Sequence, residues 1–212
     1  VIIVEPYVHL QRRACFAAGL AILAAGSMCA GAAELVVGSK RFTESYVLGE
    51  IVARTARAAG EAQVTFKPGL GNTAVVFAAL KSGAIDIYPE YSGTIAFELL
   101  GGKSAATLDA LNKALAEHGL AVSVPLGFGN TYALAMSDAL AGQRGIAAIS
   151  DLARHADLAV GLSQEFLNRK DGWPALQRAY VLPLVARGLD HGLAYEALAA
   201  GRGAPQGAGA EG

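Results

Sequence analysis

From residue 35 onward, short apolar runs of strand length alternate with segments whose apolar residues recur at helical spacing, and this alternation constrains the fold more than any other feature. Residues 35–38 read as a strand. A helix follows from Thr43, which can cap its first turn, with Tyr46, Val47, Ile51, Val52 and Thr55 near helical spacing and Gly60 as its stop. Residues 64–66 form the next strand, then "KPGLGNT" leads into a helix through Val75, Val76, Ala79 and Leu80 that ends at Gly83. "IDIYPEYSGT" is the third strand and its exit loop.

The pattern continues. Thr107 caps a helix carrying Leu108, Leu111 and Leu115 that ends near Gly119, and residues 122–124 and 133–136 read as strands. Ser150 starts a short helix, residues 158–162 a strand, residues 165–167 open a helix, and a last helix over 193–198 stops at Gly201. Strand and helix in alternation predict an α/β fold with parallel sheets covered by helices. No repeat of fixed period is present, which excludes a solenoid.

The first 33 residues read as an export leader: Arg12 and Arg13 as the basic region, 14–28 as an almost uncharged apolar run, and Ala30-Gly31-Ala32 as a small-x-small cleavage site. Both cysteines, Cys15 and Cys29, fall inside this segment, so the exported part would carry none and would rely on its core alone. Arg12, Arg13 and Glu5 give the leader +1, leaving −2 on the rest of a chain whose formal net charge is −1. No basic stripe with interleaved aromatics is present, which argues against a nucleic-acid partner.

In open α/β sheets ligands collect outside the carboxyl ends of the strands, and four loops fit that position: "GSKRFTES", "GLGNT", "YPEYSGT" and "GFGNTY". "GLGNT" lacks the Lys-Ser/Thr ending of a nucleotide-binding loop. No G-x-S-x-G, H-E-x-x-H or zinc-type cysteine pattern occurs, and His118, His155 and His191 have no acidic or thiol partner at a telling spacing, so binding is favoured over catalysis, with no cofactor or metal. Glu90, set between Tyr88 and Tyr91, reads as a structural acceptor. Tyrosine faces hold a quaternary ammonium that hydrogen bonds cannot satisfy, although strand-end tyrosines more often pack; Tyr91, past the strand proper, is the better ligand candidate. Lys40 and Arg169 could supply positive charge for an anionic group.

"GSKRFTESYVLGEI", "LGNTAVVFAALKSGAIDIYPEYSGT", "GFGNTYALAM", "ISDLARHADLAVGLSQEFLNRKDGW" and "HGLAYEALAAG" together resemble the glycine betaine/carnitine/choline-type substrate-binding proteins of osmoprotectant ABC transporters. The resemblance runs from about residue 35 to 201. It implies a type II periplasmic-binding-protein fold, with lobe I over 34–136, a partial lobe II over 137–200, and a ligand held at the hinge. By position, Tyr91 and Tyr132 resemble walls of an aromatic box, while Lys40, Thr94 and Arg169 match positions at the carboxylate end of a betaine. The same resemblance implies a periplasmic monomer that delivers a quaternary-ammonium solute to a membrane permease. An enzyme on the same two-lobed fold, acting on a small anionic substrate, is the alternative. The tail over 201–212, "GRGAPQGAGAEG", departs from the family's pattern. It reads either as a natural flexible ending or, preferably, as a lost coding frame that leaves the box incomplete and solute binding weak.

Overall fold

Leu35, Val36 and Val37 form the centre of an extended segment, β2 (Glu34–Gly38), which pairs in parallel with β3 (Gln63–Lys67), Val37 opposite Phe66. The computed structural model describes residues 2–4, 34–60, 63–102, 107–123 and 125–200. The cleavage site, the apolar run over 14–28, both cysteines and the tail over 201–212 lie outside the described residues.

Between β2 and β3 runs α1 (Thr43–Ala59). Its N-cap is Phe42 and not Thr43; Thr43 already has helical backbone, so its hydroxyl is one position too late to cap. Gly60 ends the helix at φ 73, as its position past the last apolar residue predicts. The buried face also differs from expectation: Ser45, Gly49 and Ala53 face inward, whereas Val47 and Ile51 are exposed. The cause is close packing, because a Cβ at Gly49 would stand 2.7 Å from the Phe66 ring. Small side chains let the helix lie directly on the sheet, and larger ones are turned out.

The helix α2 (Thr73–Lys81) starts at Asn72, whose side chain accepts from the Val75 N–H at 3.2 Å, and it buries Val76 and Leu80. β4 (Ile87–Pro89) follows, and the chain then turns through Ser92–Thr94 into a π-helical turn, Ile95–Leu99. Asp86 locks β4 to β2: its backbone N–H donates to Val36 O at 2.8 Å and its carboxylate accepts from Val36 N at 2.7 Å. The helix α3 (Leu108–Ala116) is capped by Thr107 as predicted, and β5 is only Ala121–Val122. Val76, Leu80, Ile85, Tyr88, Ile95, Leu111, Leu115 and Val122 form one core; Tyr88 belongs to it as a packing residue.

The sheet of this region has the order β3-β2-β4-β1-β5, where β1 is Ile2–Val4. β1 is antiparallel to both β4 and β5, so residues read from sequence as leader occupy an inner position of the sheet.

The chain divides into two compact units, Val1–Leu126 and Gly127–Gly212. This boundary precedes the one expected after residue 136, because Tyr132, Leu134 and Met136 pack against the second core. In place of the strand expected over 133–136 there is only an isolated bridge at Ala135. The second unit contains α4 (Asp138–Arg144), a 3-10 turn (Ile149–Arg154), β6 (Val160–Ser163), α5 (Gln164–Asn168), α6 (Trp173–Tyr180), β7 (Ala186–Leu189) and α7 (His191–Ala199). β6 and β7 are parallel, and all four residues of β6 are buried. Leu152, Leu158, Val160, Leu162, Phe166, Trp173, Leu182 and Leu184 make the second core.

Candidate functional site

Three loops of the first unit converge at the carboxyl ends of β2, β3 and β4, held by short backbone bonds. Arg41 N donates to Gly71 O at 2.9 Å and Leu70 N to Ser39 O at 3.0 Å, while the Ser39 hydroxyl accepts from Gly69 N at 3.1 Å. Gly69 has φ 67 and Gly71 φ 150, and a Cβ at Gly69 would sit 3.0 Å from the Tyr46 hydroxyl. Glycine at these positions allows the turn to close over α1.

Under these loops lies a buried ion pair. Lys40 Nζ stands 2.8 Å from Glu90 Oε1, with side-chain exposures of 3% and 0%. The same Oε1 accepts from the Tyr91 N–H at 2.9 Å, so the pair holds the backbone from which the Tyr91 ring projects. Lys40 Nζ is 5.9 Å from the Tyr91 ring centroid and 5.5 Å from that of Phe42. Thr94 is buried in the turn just beyond Tyr91. Lys40, Tyr91 and Thr94, three residues singled out by sequence, thus lie in one unit, and the Lys40 ammonium is directed at Glu90.

The other two lie in the second unit and meet there. The Arg169 guanidinium carbon is 5.5 Å from the Tyr132 ring centroid. Its Nε and Nη2 donate to the two carboxylate oxygens of Asp171 at 3.0 and 2.8 Å, a bidentate fork, and Nη1 is 4.0 Å from Glu165 Oε1. Tyr132 also stacks on Phe166, centroids 4.5 Å apart at 35°. Ser163 at the end of β6 accepts from Phe166 N at 3.2 Å and so fixes the start of α5, the helix that leads to Arg169.

Sequence reasoning missed Phe42, Phe166 and Asp171. Asp171 lies two residues beyond Arg169, a local carboxylate that could have been noticed. Phe42 directly follows the "SKR" string, but nothing in one sequence aims its ring at an ammonium. Among the described residues, no group of three His, Cys, Asp or Glu side chains could hold a metal, and no helix is long and apolar enough to cross a membrane.

Loops of small, hydroxyl and aromatic residues at the carboxyl ends of parallel strands define an α/β small-molecule binding domain. Residues 33–204 match the OpuAC family, the substrate binding domain of ABC-type glycine betaine transport systems, and the chain belongs to that family. It is 34% identical over 177 residues to the glycine betaine-binding protein YehZ of Escherichia coli K12, covering 78% of this chain and 58% of that protein. It is likewise 34% identical over 199 residues to a glycine-betaine-binding protein of Pseudomonas aeruginosa, covering 84% of this chain and 63% of the relative. The chain therefore spans about three fifths of the length of these relatives. The crystal structure of a glycine betaine/carnitine/choline ABC transporter shares the fold at TM-score 0.56 and 21% identity, covering 82% of this chain and 68% of that one.

Proposed function

We propose that the chain binds quaternary-ammonium compatible solutes of the glycine betaine, choline and carnitine class, and that it does so for an ABC importer. The observation that carries this reading is the buried Lys40–Glu90 pair beneath Tyr91. An uncompensated lysine beside a tyrosine face would repel a second cation. Paired with Glu90 at 2.8 Å, it leaves the site electrically neutral while the carboxylate fixes the Tyr91 backbone. A trimethylammonium offers no hydrogen-bond donor and is held by such ring faces, each contact worth roughly 0.5–1 kcal/mol when exposed and about 2 when desolvated.

Within this reading Tyr91 and Tyr132 are the cation-facing rings, and Arg169 and Thr94 serve the carboxylate of a betaine. Lys40, one of whose three N–H donors goes to Glu90, is assigned to the same carboxylate end. The names of the two relatives and the family's description support the solute class. Export with removal of residues 1–33, a periplasmic location, a monomeric state and delivery to a membrane permease complete the proposal.

The test is a thermal-shift and calorimetric titration with glycine betaine, choline and carnitine beside glycine, which lacks the methyl groups. The methylated cations should stabilise the chain and glycine should not. Equal responses to glycine and glycine betaine would overturn recognition of the methylated cation.

A further inference from the structure

The end of α5 and the turn beyond it bring one guanidinium and two carboxylates together over residues 165–171. Arg169 N donates to Glu165 O at 2.9 Å and Gly172 N to Arg169 O at 3.1 Å, so the chain folds back directly after the helix. A Cβ at Gly172 would run into Phe166 O and stand 3.1 Å from Arg169 Cβ, so glycine is what lets the turn close this tightly. That closure sets Asp171 along the Nε–Nη2 edge of the Arg169 guanidinium, where its two oxygens accept at 3.0 and 2.8 Å. Glu165 Oε1 lies 4.0 Å from Nη1, and Arg169 and Glu165 are both nearly enclosed, at 6% and 8% side-chain exposure. One guanidinium therefore faces two carboxylates, and an edge shaped for a bidentate carboxylate already holds one.

We propose that Asp171 is a specificity-determining residue, an internal carboxylate that competes with the carboxylate of a zwitterionic solute for Arg169. The inference rests on the solute reading above and refines it toward cations that carry no carboxylate, such as choline. A betaine must either displace Asp171 from the fork or bring a third carboxylate to a guanidinium that already faces two, and both lower its affinity. Choline ends in a hydroxyl, makes no claim on the fork and meets neither cost. Ring faces hold the trimethylammonium common to both solutes and so do not tell them apart. Of the two carboxylates Asp171 is the displaceable one, because it retains 32% exposure and water can take over its bonds.

The full chain and its Asp171→Asn variant are titrated calorimetrically with glycine betaine and choline. Asparagine keeps one acceptor but not the charge, so glycine betaine should bind the variant about ten-fold tighter while choline changes about two-fold or less. Unchanged or weaker glycine betaine binding, or an equal gain for both solutes, overturns the proposal. The parent alone supplies a comparison that does not depend on how the variant folds. Choline should bind it at least as tightly as glycine betaine, and a preference for glycine betaine of about ten-fold or more overturns the proposal. Acetate, which has a carboxylate and no ammonium, separates this inference from the solute reading. Followed by NMR at the Arg169 Nε–H, acetate should half-saturate Asp171→Asn at about one tenth of the concentration the parent needs. Equal half-saturation overturns the competition even where both solutes bind. Failure of both solutes to bind, with acetate behaving as expected, supports the competition and overturns the solute reading alone.

Discussion

Each unit sets an aromatic ring against a cation, but the two treat the charge in opposite ways. In the first, a compact ammonium and its carboxylate are enclosed almost completely, at 3% and 0% side-chain exposure, and joined by one 2.8 Å contact. In the second, the Arg169 guanidinium is buried to 6% exposure, but its main partner Asp171 retains 32% and grips it with two bonds. Water can screen and partly solvate Asp171, whereas Glu90 has no such relief. The first cluster therefore holds its loop with a fully enclosed pair, and the second leaves one partner, Asp171, within reach of water.

The comparison breaks most sharply at Glu90. Glu90→Gln leaves the Lys40 ammonium buried without its counter-charge and should destabilise the protein by about 3–5 kcal/mol in denaturant unfolding. The double change Lys40→Met/Glu90→Leu should recover most of that loss. A double variant as unstable as the single one would show that the pair does more than neutralise itself.

Tyr91→Ala comes next. It should weaken glycine betaine about ten-fold, close to 1.4 kcal/mol, with little change in stability, while Tyr91→Phe should cost less because the ring face remains. Equal losses from both would shift the role from the face to the hydroxyl. In the second unit, Asp171→Asn should cost only about 1 kcal/mol of stability, since Asp171 is itself one third exposed and Arg169 keeps Glu165 at 4.0 Å. A loss as large as that of Glu90→Gln would erase the distinction between the two clusters.

The smallest effect is acid dependence at Asp151. Its carboxyl is held below the usual range, first by the Ala147 N–H, then by the Ala148 N–H and Arg154. A depressed folded pKa means that the group stabilises the fold above its unfolded pKa of about 4, and that this contribution is lost as pH falls through the folded value. Asp151→Asn should therefore flatten the stability profile slightly below about pH 4 and reduce stability a little at neutral pH. An unchanged acid limb would remove Asp151 from this role.

The alternation of elements was legible because each segment carries its own period, and Gly60, Asn72 and Thr107 end or begin helices where they stand. The inward face of α1 was not legible. Its buried residues are Ser45, Gly49 and Ala53, and only the Phe66 ring, from another element, explains why small ones are required there. The strand β7 and helix α6 escaped notice because "ARGL" and "WPALQRAY" carry charge and proline that mask their periods. The Lys40–Glu90 pair joins residues fifty apart in sequence, and no local pattern announces it. Arg169 and Asp171, by contrast, are two residues apart and were within reach of a local reading.

The inner position of β1 also sets an order of events during synthesis. Residues 2–4 leave the ribosome before either of their neighbours in the sheet, Ile87–Pro89 and Ala121–Val122. At about 5–20 residues per second, roughly 6 to 24 seconds pass between the appearance of Ile3 and that of Val122. During that interval this strand lacks one or both of its sheet neighbours, so the pace of translation bears on when it can reach its inner position.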